Sequence, residues 1–497
     1  MYSVDELTGR ATGITCHSDK VQPGSIFVAI RGRLTDGNRF AQIATARGAL
    51  AIVSDSPQSI APVSIPVIAV DDARLALAQL AAGFYNNPSR QLNLTGITGS
   101  NGKTTIACML EHIFAQAGLI AGLIGTVRVN TGKTCVPSAL TTPDAISLQQ
   151  YLAQMVKNKV THAAMEVSAQ GIEMHRVAHV RFATGVLTNV CADHLDFHGS
   201  FAAYLEAKAG FLNLLGPATP LIVNMADPYC QAIANRFNGQ LISAAVSSPA
   251  DIVAHIGHLS AYGSSFTLTI GKPLTTVHNQ VLAADRYVIN LALPGRHNIE
   301  NAMLAAIAAL VQGIRPETIV QALGSFRGVE RRMNIFHAAG LTIIDDTALN
   351  PGSIDAVFDT IAAFRYNRLI VVNALRGQRG PAINTANATA LALWRHKLPF
   401  ELIVTAGTDQ VGPADIVSKQ EREAFLTTLA THQADYKYTD TLAAAVAAAL
   451  ELSVPGDLLV LIGAQGMDNG RQVLTSLLKL PLNCRQNVWY YPQIHLG

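Results

Sequence analysis

A multi-domain α/β protein is predicted: a small N-terminal α/β block, a central parallel sheet around a phosphate loop, and a Rossmann-like C-terminal block. Three observations carry this. The chain has 497 residues, 49% of them hydrophobic, which is too long for one ordinary core and implies two to four domains. Apolar runs of strand length alternate with helical patterns, as βαβ units do. Finally, Leu94-Thr-Gly-Ile-Thr-Gly-Ser-Asn-Gly-Lys-Thr-Thr105 joins an apolar run to a helical pattern through Gly96, Gly99 and Gly102.

The first block, residues 1–88, holds short apolar strands at Ser25–Ile30, Ala51–Val53 and Pro66–Val70, and a helix after Asp71-Asp72. The turn-rich Tyr85-Asn-Asn-Pro-Ser-Arg90 closes it. In the second block, residues 89–327, strands are expected at Leu123–Val127, Thr161–Val167, Ala183–Thr188 and Leu221–Val223. A polar, β-rich stretch from Ala261 to Leu291 adds antiparallel strands, and Asn298–Gly313 reads as a helix. The third block, residues 328–497, shows strands at Leu341–Ile344, Arg368–Val372, Glu401–Val404 and Asp457–Ile462 with helical segments between. Thr441–Leu452 reads as a buried Ala/Leu helix.

Composition narrows the function. A formal net charge of +2 with 14% charged residues gives no reason to invoke nucleic acid or an anionic membrane. Cys16, Cys108, Cys135, Cys191, Cys230 and Cys484 form no C-x-x-C pair, which argues against zinc or a disulfide framework and for a reducing, cytoplasmic setting. MYSVDELTGR lacks the basic-then-apolar pattern of a signal peptide, and no apolar run has membrane-spanning length.

In the glycine loop, backbone N–H groups and a helix N-terminus would face an anion. Lys103 would supply a point charge, and the threonine hydroxyl after it would reach Mg²⁺. The strict Walker pattern places Gly where Ile97 stands. Polar residues at the carboxyl ends of the apolar runs are the other candidates, since open parallel sheets bind ligands there. These are Glu166, Asn189, Asp193-His194 and Asp345-Asp346. Glu166 reads equally as a Mg²⁺ position, a helix N-cap or a surface acid. His194 and His198 lie four apart, without a third ligand that zinc would need. Lys208 reads from spacing alone as a helix-surface lysine. Arg327, Arg331 and Arg332 are either a solvated cluster at a domain junction or anion ligands in a cleft.

Together these segments resemble the Mur ligase family, the ATP-dependent amide-forming ligases of peptidoglycan precursor synthesis. Within it they are most similar to the branch that adds the third stem residue to UDP-N-acetylmuramoyl-L-alanyl-D-glutamate. The resemblance is carried by His17-Ser-Asp-Lys-Val-Gln-Pro-Gly-Ser-Ile-Phe-Val-Ala-Ile-Arg-Gly32 with Thr35-Asp-Gly37, and by the loop Thr98-Gly-Ser-Asn-Gly-Lys-Thr-Thr105. Thr141-Thr-Pro-Asp144, Met165-Glu-Val-Ser168, His175-Arg176 and Asn189 through Gly199 belong to it too. So do Tyr204-Leu-Glu-Ala-Lys208 and Gly295-Arg-His-Asn-Ile-Glu-Asn-Ala302.

The resemblance implies ATP bound by Gly99, Asn101, Gly102, Lys103, Thr104 and Thr105, with Asn298 and Asn301 on the adenine side. Arg332 and Asp346 would reach the nucleotide from the third domain. Two Mg²⁺ sites would be lined by Thr104, Glu166, His194 and Lys208, the last carrying CO₂ as a carbamate. Lys103, Glu166, His194 and Lys208 would form the catalytic set, while Ser18, Thr141, Thr142, Ser168 and Arg176 would bind the UDP-sugar peptide. A monomer acting on small molecules is implied.

The third block departs from the branch pattern. Asp345-Asp-Thr-Ala-Leu-Asn-Pro351 replaces D-Y-A-H-T-P, so Leu349 stands at the His place. Val404-Thr-Ala-Gly-Thr-Asp-Gln-Val-Gly412 occupies the region of the diaminopimelate-reading D-N-P-R. Gly463-Ala-Gln-Gly-Met-Asp468 replaces the late G-K-G-H-E, and Ser168-Ala-Gln170 replaces S-S-H. These positions face the amino acid, so meso-diaminopimelate is disfavoured as acceptor. A ligase of a side pathway acting on another acid, and a relative that binds without making bonds, are the competing readings.

Overall fold

In the computed structural model of the chain, residues 4–32, 35–463 and 465–479 are described. Cys484, Ala464 and the end of the third block therefore lie outside the described residues, as do Met1 to Ser3.

The chain folds around three main sheets. The first is parallel, in the order Gly13–Thr15, Ser25–Ala29, Ala51–Ser54, Val67–Ala69. Helix Ala73–Phe84 packs on it through Ala73, Ala76, Leu77 and Leu80. Asp72 starts that helix by accepting from Leu75 N at 2.8 Å. Asn86 and Asn87, with φ of 59° and 49°, turn the chain out of the first block, a conformation that asparagine tolerates better than most residues.

The central sheet has eleven strands. Its order runs Arg286–Leu291, Gly263–Ile270, Ile252–Ser260, Leu241–Val246, Leu221–Asn224, Thr184–Leu187, Asn93–Thr98, His162–Glu166, Ala121–Ile124, Arg128–Asn130, Cys135–Pro137. From Ile252–Ser260 to Ala121–Ile124 all neighbours are parallel; both ends are finished by antiparallel strands. The antiparallel additions at that end, Gly263–Ile270 and Arg286–Leu291, fall within the expected stretch Ala261–Leu291. Helices Lys103–Gln116 and Arg296–Val311 cover one face, where Ile106, Leu110, Met303 and Ile307 are fully buried. Nearly every residue of Arg296–Val311 is buried, and its alanines let it sit close between the sheet and the neighbouring helix.

The third sheet runs Asn334–Ala338, Leu341–Asp346, Leu458–Ile462, Leu369–Ala374, Glu401–Thr405, Lys437–Thr439, parallel except at its first strand. Apolar clusters cover both faces, so its inner strands read as continuous Leu/Ile/Val runs. Helix Leu442–Leu452 buries Leu442, Ala445, Val446 and Ala449, while Ala443 and Ala444 are exposed. The expectation of a buried helix is thereby corrected to an amphipathic one whose outer face is alanine.

Candidate active site

Strand Asn93–Thr98 lies between Thr184–Leu187 and His162–Glu166, so three strand ends deliver the glycine loop, Asn189 and Glu166 to one place. Gly99 and Gly102 have φ of 145° and 87°. A Cβ on Gly99 would collide with the Thr188 hydroxyl, and one on Gly102 with Asn301 Oδ1. The loop is thus closed around glycine for want of both dihedral freedom and space. Ser100, Asn101 and Gly102 lead into helix Lys103–Gln116, whose amide dipoles face the loop. Lys103 Nζ folds back onto the carbonyls of Gly99 and Ser100, at 2.8 Å each.

Glu166 is 1% exposed, yet it is an acid ringed by hydroxyls. Oε2 accepts from Thr104 Oγ1 at 2.9 Å and Thr126 Oγ1 at 3.0 Å, and Oε1 accepts from Thr126 N at 2.6 Å. Thr141 Oγ1 lies 3.1 Å from Thr126 Oγ1. Clustered carboxylate and hydroxyl oxygens are the donor set that Mg²⁺ takes, together with phosphate oxygens and water. The helix N-cap reading of Glu166 is corrected here: it ends a strand, and Ser168 caps the following helix by accepting from Gly171 N.

Lys208 is 1% exposed and not a surface lysine. It comes from helix Phe201–Ala209, and Nζ donates to the same Gly99 carbonyl as Lys103, at 2.8 Å. Nζ also lies 4.5 Å from the centroid of the Tyr204 ring. Burial, and then the neighbouring Lys103 charge, push its pKa far below the ordinary lysine value. Burial without a carboxylate partner favours the neutral amine, the form that adds CO₂. Tyr204 in turn bonds Ser100 Oγ at 2.9 Å and so steadies the loop.

Asp193 and His194 follow the next strand end. His194 has φ of 52° and a half-exposed ring. Asp193 is buried against Arg376 Nη1 at 2.8 Å. Burial opposes its charge, but Arg376, His194 and the hydrogen bonds from Arg376 and Asn350 outweigh it and hold its carboxyl well below the usual range. His198 packs on Tyr204, with Nδ1 2.7 Å from Glu173.

From the third domain, Asp346 accepts from Met333 N at 2.6 Å, and burial pushes its carboxyl up to about 6. Arg331 is internal: it reaches Asp345, Asp468 and the carbonyls of Asp346 and Gly463. Arg332 is half-buried, and its charge acts on both Lys103 and Asp346. Asn298 donates to Pro294 O at 2.8 Å, fixing the first turn of Arg296–Val311.

A second cluster lies toward the first domain. Thr142 Oγ1 donates to Glu166 O and accepts from Ser168 N, while Arg176 Nη1 donates to Thr142 O at 3.0 Å. His175 Nε2 meets Asp72 of the first domain at 3.5 Å. Ser18 sits apart, in the turn Ser18–Lys20 whose carbonyls accept from Arg47. No hydrogen bond among the described residues joins Ser18 to the phosphate loop.

Comparison with known proteins decides the family. Residues 97–309 match the family model described as Mur ligase middle domain, 331–465 the Mur ligase glutamate ligase domain, and 10–85 the Mur ligase family catalytic domain. The chain belongs to the Mur ligase family. It is an ATP-dependent, amide-forming ligase by that membership.

Among relatives of this Mur ligase, the UDP-N-acetylmuramoyl-L-alanyl-D-glutamate--2,6-diaminopimelate ligase of Halalkalibacterium halodurans is 30% identical over 450 residues, covering 90% of this chain and 87% of the relative. The protein of the same name from Geobacillus kaustophilus is 34% identical over 372 residues, covering 73% of each. The fold matches a crystal structure of MurF from Acinetobacter baumannii with a TM-score of 0.68 at 20% identity, over 96% of this chain and 98% of that one. A solved UDP-N-acetylmuramoyl-L-alanyl-D-glutamate--2,6-diaminopimelate ligase matches with a TM-score of 0.63 at 21% identity, over 94% and 95%. At such identities the structures speak for the fold alone.

Sequence reasoning missed several residues of this Mur ligase site. Thr126 leaves no signal, because it reaches Glu166 from a turn after a short strand. Tyr204 stands out in the sequence only as part of the motif around Lys208. Arg376 and Asn350 come from distant segments, and no local pattern pairs them with Asp193.

Proposed function

We propose that this Mur ligase joins an amino acid to UDP-N-acetylmuramoyl-L-alanyl-D-glutamate through an acyl phosphate, in peptidoglycan precursor synthesis. One observation carries the reading: Lys103 and the buried Lys208 share the Gly99 carbonyl, while Thr104, next to Lys103, donates to Glu166. In this reading residues 1–88 hold the UDP end of the acid, 89–327 hold ATP, and 328–497 bring the amino acid. Thr141, Thr142, Ser168 and Arg176 orient the acid at the central domain, and Ser18 contacts its uridine side. Gly99, Asn101, Gly102, Lys103, Thr104 and Thr105 hold the phosphates, Asn298 and Asn301 the adenine side, and Arg332 and Asp346 approach from the third domain.

Thr104, Glu166, His194 and carbamylated Lys208 would hold two Mg²⁺ ions, which when bound neutralise phosphate charge. The carbamate forms when the neutral Lys208 amine adds CO₂ and releases a proton, turning a neutral buried amine into an anion. A carboxylate oxygen of the acid attacks the γ-phosphorus of ATP, and ADP leaves. The amine then attacks the acyl carbon, phosphate leaves, and the amine's proton goes to solvent. Lys103 draws the γ-phosphate's negative charge forward, and the packed loop orients it for in-line attack.

The acceptor is proposed to differ from meso-diaminopimelate. In the region where a distal carboxylate would be read, Asp409 instead accepts from Leu442 N at 2.7 Å and Ala443 N at 3.3 Å, in the first turn of helix Leu442–Leu452. A side-pathway ligase that adds an unusual residue to a different acid is the second reading, favoured by intact nucleotide motifs beside the altered acceptor-side Leu349 and late motif.

The first step can be tested without knowing the acceptor. Hydroxylamine traps acyl phosphates as hydroxamates. Incubation with Mg-ATP, bicarbonate and UDP-N-acetylmuramoyl-L-alanyl-D-glutamate is expected to yield the hydroxamate mass. Its absence, with ATP bound, would shift the assignment to another acid.

A further inference from the structure

Asp193 is held on both carboxylate oxygens by the third domain. Oδ1 accepts from Arg376 Nη1 at 2.8 Å, and Oδ2 accepts from Asn350 Nδ2 at 3.0 Å. Oδ1 also accepts from the backbone N–H of His194 at 2.9 Å. Asn350 makes a second crossing: its amide and that of Asn101, in the phosphate loop, exchange hydrogen bonds at 3.2 and 3.1 Å. Asn101 is itself fixed from behind, where N donates to Asn189 Oδ1 and O accepts from Thr188 Oγ1.

Arg376 is built into its place. It follows strand Leu369–Ala374, and Asn384 grips both its N–H and its carbonyl. Nη1 also donates to Leu349 O at 2.9 Å, a carbonyl that Asn387 shares at 3.1 Å. Arg376 therefore holds both the central-domain acid and the loop that presents Asn350.

The plain alternative is an interdomain ion pair that only adds stability. Two features argue against it. Buried pairs rarely stabilise more than apolar contacts of equal volume, and they are better suited to fixing register. Moreover, Nε of Arg376 is buried without a partner among the described residues, a deficit that an optimised structural pair would not carry.

We propose that Arg376 is a positioning residue of the ligase: with Asn350 it clamps Asp193 and thereby sets His194 and the phosphate loop in their reacting arrangement when the third domain docks. His194 is the geometric lever. Its left-handed backbone, φ 52°, is unfavourable for a residue with a side chain and persists only where its surroundings hold it. The Asp193 carboxylate is one such hold, and the third domain fixes that carboxylate. This deepens the function proposed above and rests on it.

The test uses the full chain, with Arg376→Gln, Arg376→Lys, Asp193→Asn and the double Asp193→Asn/Arg376→Gln. Three quantities are read: binding of trinitrophenyl-ATP, kcat and KM for the hydroxamate reaction, and small-angle scattering with Mg-ATP. Arg376→Gln is expected to bind the nucleotide within about threefold of the parent while kcat falls about 100-fold at unchanged KM for the acid, as for loss of a group needed only in the reacting arrangement. Arg376→Lys should recover about tenfold of that loss, since it restores the charge but not the forked geometry. The double variant should be no worse than the poorer single one, because both remove the same contact.

A parent-like kcat in Arg376→Gln, even with a lowered melting temperature, would overturn the proposal and leave a structural pair. Losses that multiply in the double variant would overturn it too. If the parent makes no hydroxamate, the assigned acid fails and scattering alone judges the clamp. The parent should then be compact and Arg376→Gln expanded, whereas matching profiles would reject it.

Discussion

Glu166 and Lys208 show how one environment makes two residues useful. Both are 1% exposed. The acid is surrounded by donors, whereas the lysine has a carbonyl and a ring. Lys208→Ala is expected to lower hydroxamate formation about 100-fold or more, with partial rescue by small carboxylates such as acetate. Full activity in that variant would remove the carbamate role. Lys103→Ala should abolish ATP turnover, and unchanged turnover would sink the phosphate-loop assignment. Gly102→Ala forces both a strained φ and a collision with Asn301, so it should weaken nucleotide binding and cost about 1–3 kcal/mol of stability by chemical denaturation.

Lys103, Thr104 and the glycines were legible in sequence because a phosphate loop is a contiguous string. Lys208 was not legible by spacing: in Tyr204-Leu-Glu-Ala-Lys208 nothing local distinguishes it from a solvated lysine, and only the resemblance singled it out. Thr126 was invisible, since its partner lies forty positions away.

At the scale of elements, strands buried on both faces were readable as apolar runs, and Leu458–Ile462 and Leu369–Ala374 fall within or beside the expected segments. Short edge strands such as Gly13–Thr15, Cys135–Pro137 and Lys437–Thr439 were not. Each is three residues long and mostly part-exposed or exposed, so it carries no hydrophobic signal. Helix Ala73–Phe84 depends on the Asp72 cap; Asp72→Ala should cost about 1 kcal/mol in denaturant unfolding.

His162, at the start of strand His162–Glu166, is 8% exposed and packs 5.1 Å from the Phe114 ring. Burial, aided by nearby His278, pushes its pKa down to about 4. The folded state thus binds fewer protons than the unfolded one between that value and an ordinary histidine value of about 6.5. Stability is present in full above pH 6.5 and declines as pH falls toward 4, by up to about 3 kcal/mol. His162→Gln should flatten the unfolding free energy across that window. An unchanged pH profile would show that the ring is protonated without cost.

For the whole molecule, three blocks were legible because each repeats strand and helix patterns between turn-rich junctions. How the blocks meet was not. Asn101 and Asn350 are 249 positions apart, Asp193 and Arg376 are 183 apart, and neither pair leaves a mark in any local window. Movement about junctions near residues 88 and 328 is expected during turnover, and scattering should show compaction when Mg-ATP and the acid bind. An unchanged radius of gyration would argue for a molecule already closed.

The central claim is that this Mur ligase forms an amide on UDP-N-acetylmuramoyl-L-alanyl-D-glutamate. Its most direct test is phosphate release by the purified protein with Mg-ATP and that acid, across the common amino acids, ornithine and diaminopimelate. The account predicts release that depends on one amino acid other than meso-diaminopimelate, with a product of the acid's mass plus that residue. Absence of release with every amino acid, in a protein that binds ATP, would contradict it.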